Sequence, residues 1–173
     1  MINIEKELEV AKKASKIAAA LLIDQKDNIN EILSNEGRDI KLKADLESEK
    51  LIKEYLLSNS DFPILAEESG ANRDLKKSFW VVDPLDGTSN YSRNFPIFCI
   101  SIALIYENEI TLGVINDFNR SSLYEGSINS KAKLNGQDIK VSCISEKSKA
   151  TLATGLPAKG NFNEDSMIEL SKE

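Results

Sequence analysis

A change of hydrophobic period partway along the chain limits the fold more than any other feature. Ile4, Leu8, Ala11, Ala14, Ile17, Ala18, Leu21 and Leu22 recur at three- and four-residue steps, which predicts one long amphipathic helix ending near Asn28. After a short segment containing Gly37, a second helix is predicted over about residues 45–58, with Asp45 at its start and Leu46, Ile52, Tyr55 and Leu56 available for burial. From Phe62 the period shortens. Residues 62–66 and 79–82 are apolar runs of strand length that lead directly into acidic residues. Residues 98–106 and 109–116 read as a hairpin turning at Glu107-Asn108. Residues 122–125, 139–143 and 150–154 add short strands, and 164–171 begins another helix. Two helices followed by a run of strands predict an α+β layer, with helices packed on a mostly antiparallel sheet. No Gly-, Pro- or Ser-rich linker divides the chain.

Charge and composition narrow the chemistry. The 173 residues carry 22 basic and 28 acidic side chains, a net charge of −6, which repels a nucleic-acid backbone and excludes it as a partner. Histidine is absent, so the usual general base and the imidazole ligands of catalytic zinc are absent too. Chemistry must run on carboxylates, hydroxyls, amines or a bound metal. Cys99 and Cys143 lie in strand-like apolar stretches and are expected to be buried free thiols. Glu5, Glu7 and Glu9 stand where a signal peptide would carry basic residues, and no apolar run is long enough to span a bilayer. The expectation is a cytoplasmic protein without a membrane partner.

Asp83-Pro84-Leu85-Asp86-Gly87-Thr88 follows the strand Trp80-Val81-Val82. Asp-Pro and Asp-Gly are ordinary turn dipeptides, so the motif alone also fits a plain turn. Glu67-Glu68 ends another strand. If the two strands share a sheet, Glu67, Asp83 and Asp86 come within a few ångströms of one another. Two such charges about 4 Å apart repel by roughly 4 kcal/mol at an effective dielectric near 20, which a divalent cation would turn into attraction. Oxygen-only donors select a hard cation, Mg²⁺ with Mn²⁺ as the alternative. Pro84 stiffens the turn, and Gly87 permits close approach of the backbone to an anion. Glu68 points away from Glu67 in an extended strand, so it is read as solvated or salt-bridged and left out of the site.

Lys41-Leu-Lys-Ala-Asp45, Glu67-Glu68-Ser69, Trp80-Val-Val-Asp83-Pro-Leu-Asp86-Gly-Thr88 with Asn90-Tyr91, and Leu134-Asn-Gly-Gln-Asp-Ile-Lys-Val-Ser142 resemble, in order, motifs of inositol-monophosphatase-like phosphatases. The resemblance spans about residues 40–155 and implies the N-terminal domain of the sugar-phosphatase fold shared with fructose-bisphosphatase. By that resemblance Glu67 ligates a first metal and orients a water, Asp83 bridges two metals, Asp86 holds the second, and Leu85 contributes its carbonyl. Thr88 joins Glu67 in activating the water, with Asp45 supporting the hydroxyl. Leu85, Asp86, Gly87 and Thr88 surround the substrate phosphate. Asp45 could instead cap the second helix, and Thr88 the short helix after the turn.

The implied reaction is metal-assisted hydrolysis of a small phosphorylated sugar or polyol, by two-metal activation of water. A 3′(2′),5′-bisphosphate nucleotide and fructose 1,6-bisphosphate are the alternatives within the superfamily. Family members continue through a second domain bearing a Trp-Asp motif, whereas Trp80 is the single tryptophan here. Residues 1–173 are therefore expected to form the metal- and phosphate-binding N-terminal domain, lacking one ligand and a substrate wall. Two consequences are expected: a homodimer or an association with the missing C-terminal half, and poor hydrolysis by the isolated chain. The rival reading is a catalytically silent metal-binding or assembly domain.

Overall fold

The computed structural model describes residues 2–36 and 39–151, and the chain divides into two compact units, Met1–Lys140 and Val141–Glu173. No composition shift in the sequence announces the division.

In the first unit, helix α1 (Ile4–Asp24) is started by Asn3, whose side chain accepts the Lys6 amide, and a single turn, α2 (Lys26–Ile29), continues it. The long helix therefore ends where its apolar stripe ends. Helix α3 (Lys43–Asn59) starts two residues earlier than the apolar pattern predicts. A small hairpin, β1 (Ile32–Glu36) and β2 (Asp39–Leu42), joins the helices; the only alternation that marks it is the four-residue Asp39-Ile40-Lys41-Leu42.

The remaining strands are β3 (Ile64–Ala66), β4 (Gly70–Ala71), β5 (Phe79–Asp86), β6 (Cys99–Tyr106), β7 (Glu109–Asp117), β8 (Ser122–Ser127), β9 (Ser130–Leu134) and β10 (Gln137–Asp138). They form one sheet in the order β10-β9-β8-β7-β6-β5-β3-β4. Every pairing is antiparallel except that of β3 with β5. The α+β expectation is met, and the hairpin turns at Glu107 and Asn108, both with positive φ (52° and 68°).

Helices α1 and α3 lie side by side on one face of the sheet, α1 over β6 and β7 and α3 over β5. The core between them holds Ala11, Ala14, Ala18 and Leu22 of α1, Ile52 and Leu56 of α3, and Trp80, Ile100, Ile102 and Leu104 of the sheet, all fully buried. Small alanines bring α1 close to the sheet, and each large side chain removed from water contributes about 1.5–3 kcal/mol. Three polar side chains buried in this layer find partners. Trp80 Nε1 donates to Ser60 Oγ (3.0 Å), Tyr91 Oη to the Leu22 carbonyl (2.7 Å), and Asn116 Nδ2 to the Ser15 carbonyl (3.3 Å). On the opposite face Ile110, Ile115, Tyr124, Ile128 and Ile139 are exposed.

Two sequence expectations are corrected. Residues 139–143 form no strand: the Ile139 amide still donates to the Ala132 carbonyl (2.9 Å), but among the described residues no backbone bond continues the ladder beyond it, and Val141 is exposed. For the same reason Cys143 is exposed rather than buried, while Cys99 is half-buried; both are free thiols. In the second unit the described residues form one short turn, Lys147–Lys149, with Lys149 paired to Glu146 at 2.7 Å. Residues 150–151 are not extended into a strand, and the rest of the 150–154 expectation and the helix at 164–171 lie outside the described residues.

Candidate active site

The parallel pairing of β3 with β5 determines where the acids go. Ile64, Leu65 and Ala66 lie beside Trp80, Val81 and Val82, so both strands run out at the same edge of the sheet. The ladder extends one step further, with the Glu67 amide donating to the Val82 carbonyl at 3.1 Å. Glu67 and Asp83 thus directly follow paired residues and emerge side by side, close enough for each to perturb the other's carboxyl.

Asp86 arrives by a different device. In a regular strand, residues three apart point to opposite faces. Between Asp83 and Asp86 the register against β6 shifts, Asp83 facing Ser101 and Asp86 facing Cys99. Ser101 and Cys99 are two apart and share a face, so this one-residue bulge brings both aspartates to the same side. Asp86 is exposed, and its Oδ2 lies 3.8 Å from the Cys99 thiol. Among the described residues, no three Asp, Glu or Cys side chains close into a ready cation cage. Glu67 and Asp83 are the pair the fold brings together.

Gly87 adopts φ +90° and leads into a short helix, α4 (Thr88–Ser92), as its N-cap. Thr88 is the first residue of that helix and makes no cap bond; its hydroxyl donates toward Asp45 Oδ1 (2.9 Å) and the Leu85 carbonyl (3.0 Å). Asp45 is engaged at both carboxylate oxygens. Oδ2 accepts the Leu42 amide at 2.6 Å, holding the start of α3, while Oδ1 takes the Thr88 hydroxyl. The Leu85 amide is engaged by Asp83 Oδ1 (3.1 Å), so it is not turned outward. Glu68 is paired with Lys41 at 2.6 Å, the salt-bridged alternative for that residue.

Two polar residues that the sequence did not single out also reach this edge. Ser48 Oγ donates to the Pro84 carbonyl (2.9 Å), and Glu49 Oε2 accepts the Glu68 amide (2.8 Å). The available signal was a Ser-Glu pair three and four residues after Asp45, on the face that continues as Ile52 and Leu56.

The electrostatics match the crowding. Loss of hydration, followed by the Asp83 charge, pushes the Glu67 carboxyl up to about 7. Asp83 is raised mainly by burial, and Asp45 is raised to about 6 by burial, against the opposing pull of the Leu42 amide and Thr88 hydroxyl. Burial, with Asp86 nearby, raises the Cys99 thiol to about 12, so it stays protonated near neutral pH. A carboxyl raised on folding favours the native state while protonated. That stabilisation is complete below the ordinary values of 3.8 and 4.5 and is lost as pH rises through about 6 and about 7. In the absence of divalent cations the unfolding midpoint should therefore fall between about pH 5 and pH 8, on the order of 2–4 °C for each kcal/mol lost. Thermal scans at constant ionic strength check this, and a midpoint that climbs across the window contradicts it.

Residues 3–171 match the sequence pattern of the inositol monophosphatase family. The chain belongs to that family. It is 34% identical over 152 residues to an inositol-1-monophosphatase of Synechocystis, covering 86% of this chain and 53% of that protein. It is 32% identical over 179 residues to a fructose-1,6-bisphosphatase/inositol-1-monophosphatase of Aquifex aeolicus, covering 100% and 67%. The crystal structure of an extragenic suppressor protein suhB from Bartonella henselae superposes with a TM-score of 0.72 at 28% identity, over 79% of this chain and 54% of that one. The chain thus spans about half to two thirds of the length of these relatives. No helix among the described residues is long and apolar enough to cross a membrane.

Proposed function

We propose that this family member takes part in hydrolysing a small phosphate monoester, an inositol or other sugar or polyol monophosphate, with Mg²⁺ or Mn²⁺ held at the edge formed by β3 and β5. The observation that carries this reading is the Glu67–Asp83 pair at the ends of two parallel strands, beside the Thr88–Asp45 hydroxyl contact. The donor set fits a hard cation: it contains only oxygens, and the two acids otherwise meet at a cost that positive charge would offset. Glu67, Asp83, Asp86 and the Leu85 carbonyl are the residues we assign to hold it. A divalent cation bound there would supply positive charge against the phosphate and make a water acidic enough to lose its proton near neutral pH.

The chain's own groups have defined tasks in this reading. With its proton directed to Asp45 or the Leu85 carbonyl, the Thr88 oxygen keeps a lone pair that can accept from the attacking water. Asp45, raised to about 6, sits behind it as the next proton acceptor. The Thr88 and Ser89 amides come before the first amide of α4 that finds a partner at the helix start, that of Asn90, which donates to the Gly87 carbonyl at 2.8 Å. With the Leu85 amide taken by Asp83, the amides of Asp86, Gly87 and Thr88 are the ones we assign to the phosphate. Fructose 1,6-bisphosphate is the alternative substrate, supported by the likeness to the Aquifex relative.

Cation titration tests the assignment. Asp83→Asn should weaken Mg²⁺ binding more than Asp45→Asn, since the first removes a ligating charge and the second a supporting contact, whose loss costs roughly 10–100-fold. Equal losses by calorimetry would dismiss the separate roles of these two aspartates.

A further inference from the structure

We propose that Glu49, through its side-chain carboxylate, is a positioning residue that sets the place of Glu67 at the candidate cation site. This inference rests on the cation-binding reading of that site. Glu49 is 4% exposed, and its Oε2 accepts the amide of Glu68, the residue bonded to Glu67, at 2.8 Å. Its Oε1 lies 3.5 Å from Lys53 Nζ, one helical turn on, and Lys53 in turn donates to Ser69 Oγ at 2.6 Å. The segment after Glu67 is therefore gripped at the Glu68 amide and at the Ser69 hydroxyl by one face of α3. Lys41 holds the Glu68 side chain from the other side at 2.6 Å. The Glu67 amide is tied to Val82. With both flanking amides fixed, the backbone at Glu67 has little freedom to turn.

A buried carboxylate close to Glu67 and Glu68 is electrostatically adverse, and an apolar residue would pack there without that cost. What offsets it is a charge-assisted bond to a backbone amide together with the Lys53 contact. Ser48, adjacent on the same helix, binds the Pro84 carbonyl at 2.9 Å and so holds the turn just after Asp83. One face of α3 therefore fixes both strand ends, Glu49 locating the Glu67 side and Ser48 the Asp83 side. The separation of the two acids is then set by α3 as well as by the pairing of β3 with β5.

Two substitutions separate reach from charge. Glu49→Asp keeps the charge but is one methylene too short for the Glu68 amide, whereas Glu49→Gln keeps the reach and an accepting oxygen without the charge. Mn²⁺ affinity of the chain, measured by calorimetry, should fall about 10–100-fold in Glu49→Asp and no more than about threefold in Glu49→Gln. Residue-resolved amide exchange without cation gives a second readout: the Glu68 amide should exchange faster in Glu49→Asp and remain protected in Glu49→Gln. The reverse order of affinities, or wild-type affinity and Glu68 protection in a folded Glu49→Asp, overturns the proposal. If the unsubstituted chain binds no Mn²⁺, the cation reading fails and this proposal with it; if it binds and Glu49→Asp binds equally well, only this proposal fails.

Discussion

In an intact version of the protein, Glu67→Gln is expected to lower phosphate-ester turnover by about 10²–10⁴-fold while leaving the cation-free fold as stable as before, or more so. Both halves of this result have one cause. Burial is the larger cost of ionising either carboxyl, and at Glu67 repulsion by the Asp83 charge adds to it. A neutral amide of the same shape removes the repulsion, so the unfolding midpoint at pH 8 should be unchanged or higher. It also removes a charge on which cation binding depends and an acceptor for the water's proton. Phosphate release, Mg²⁺ titration and thermal unfolding together give the signature. Turnover near that of the unsubstituted protein would take Glu67 out of the mechanism, and a large fall in stability would make its role structural.

Gly87→Ala should cost both stability and function. The left-handed backbone at φ +90° penalises a β-carbon by about 1–2 kcal/mol. The position is crowded too. A methyl group there would lie 2.8 Å from the Ile97 carbonyl oxygen and 3.2 Å from the Phe98 Cα, both backbone atoms that cannot swing away. Relieving such overlap typically costs a further 1–3 kcal/mol or so, and the combined loss should lower the midpoint by on the order of 10 °C. The relief would move the turn between Asp86 and Thr88, so cation affinity should fall even in molecules that stay folded. Gly136→Ala is the control: φ is similar at +80°, but nothing lies within 4 Å of the added carbon. It should show the conformational cost alone. Equal destabilisation by the two substitutions, measured by denaturant titration, would mean that the Ile97 contact is unimportant.

Much of the architecture was legible because its signals are local. The stripe of α1 reports its own burial through side chains one turn apart, and the β6–β7 hairpin is specified by the two residues at its turn. Acidic residues stand directly after the β3 and β5 apolar runs, so their delivery to strand ends could be read without knowing the neighbours of either strand. The strand expected at residues 139–143 failed for the complementary reason. Alternating apolar residues satisfy the pattern, but a strand exists only where another backbone accepts its hydrogen bonds, and among the described residues the last bond to β9 is that of the Ile139 amide.

The sequence by itself determined which chemistry was available: carboxylates and a hydroxyl, no imidazole, and a glycine where the backbone turns left-handed. Tertiary structure alone decided which of those groups meet. Glu67 reaches Asp83 because β3 and β5 pair in parallel across 16 positions, and Asp86 joins their side because of a single bulge opposite β6. Asp45 finds Thr88 43 residues away, Ser48 finds Pro84 36 away, and Glu49 finds Glu68 19 away. Such contacts leave no periodic trace, because side-chain patterning records burial against the fold as a whole, whereas a hydrogen bond depends on the placement of two particular atoms.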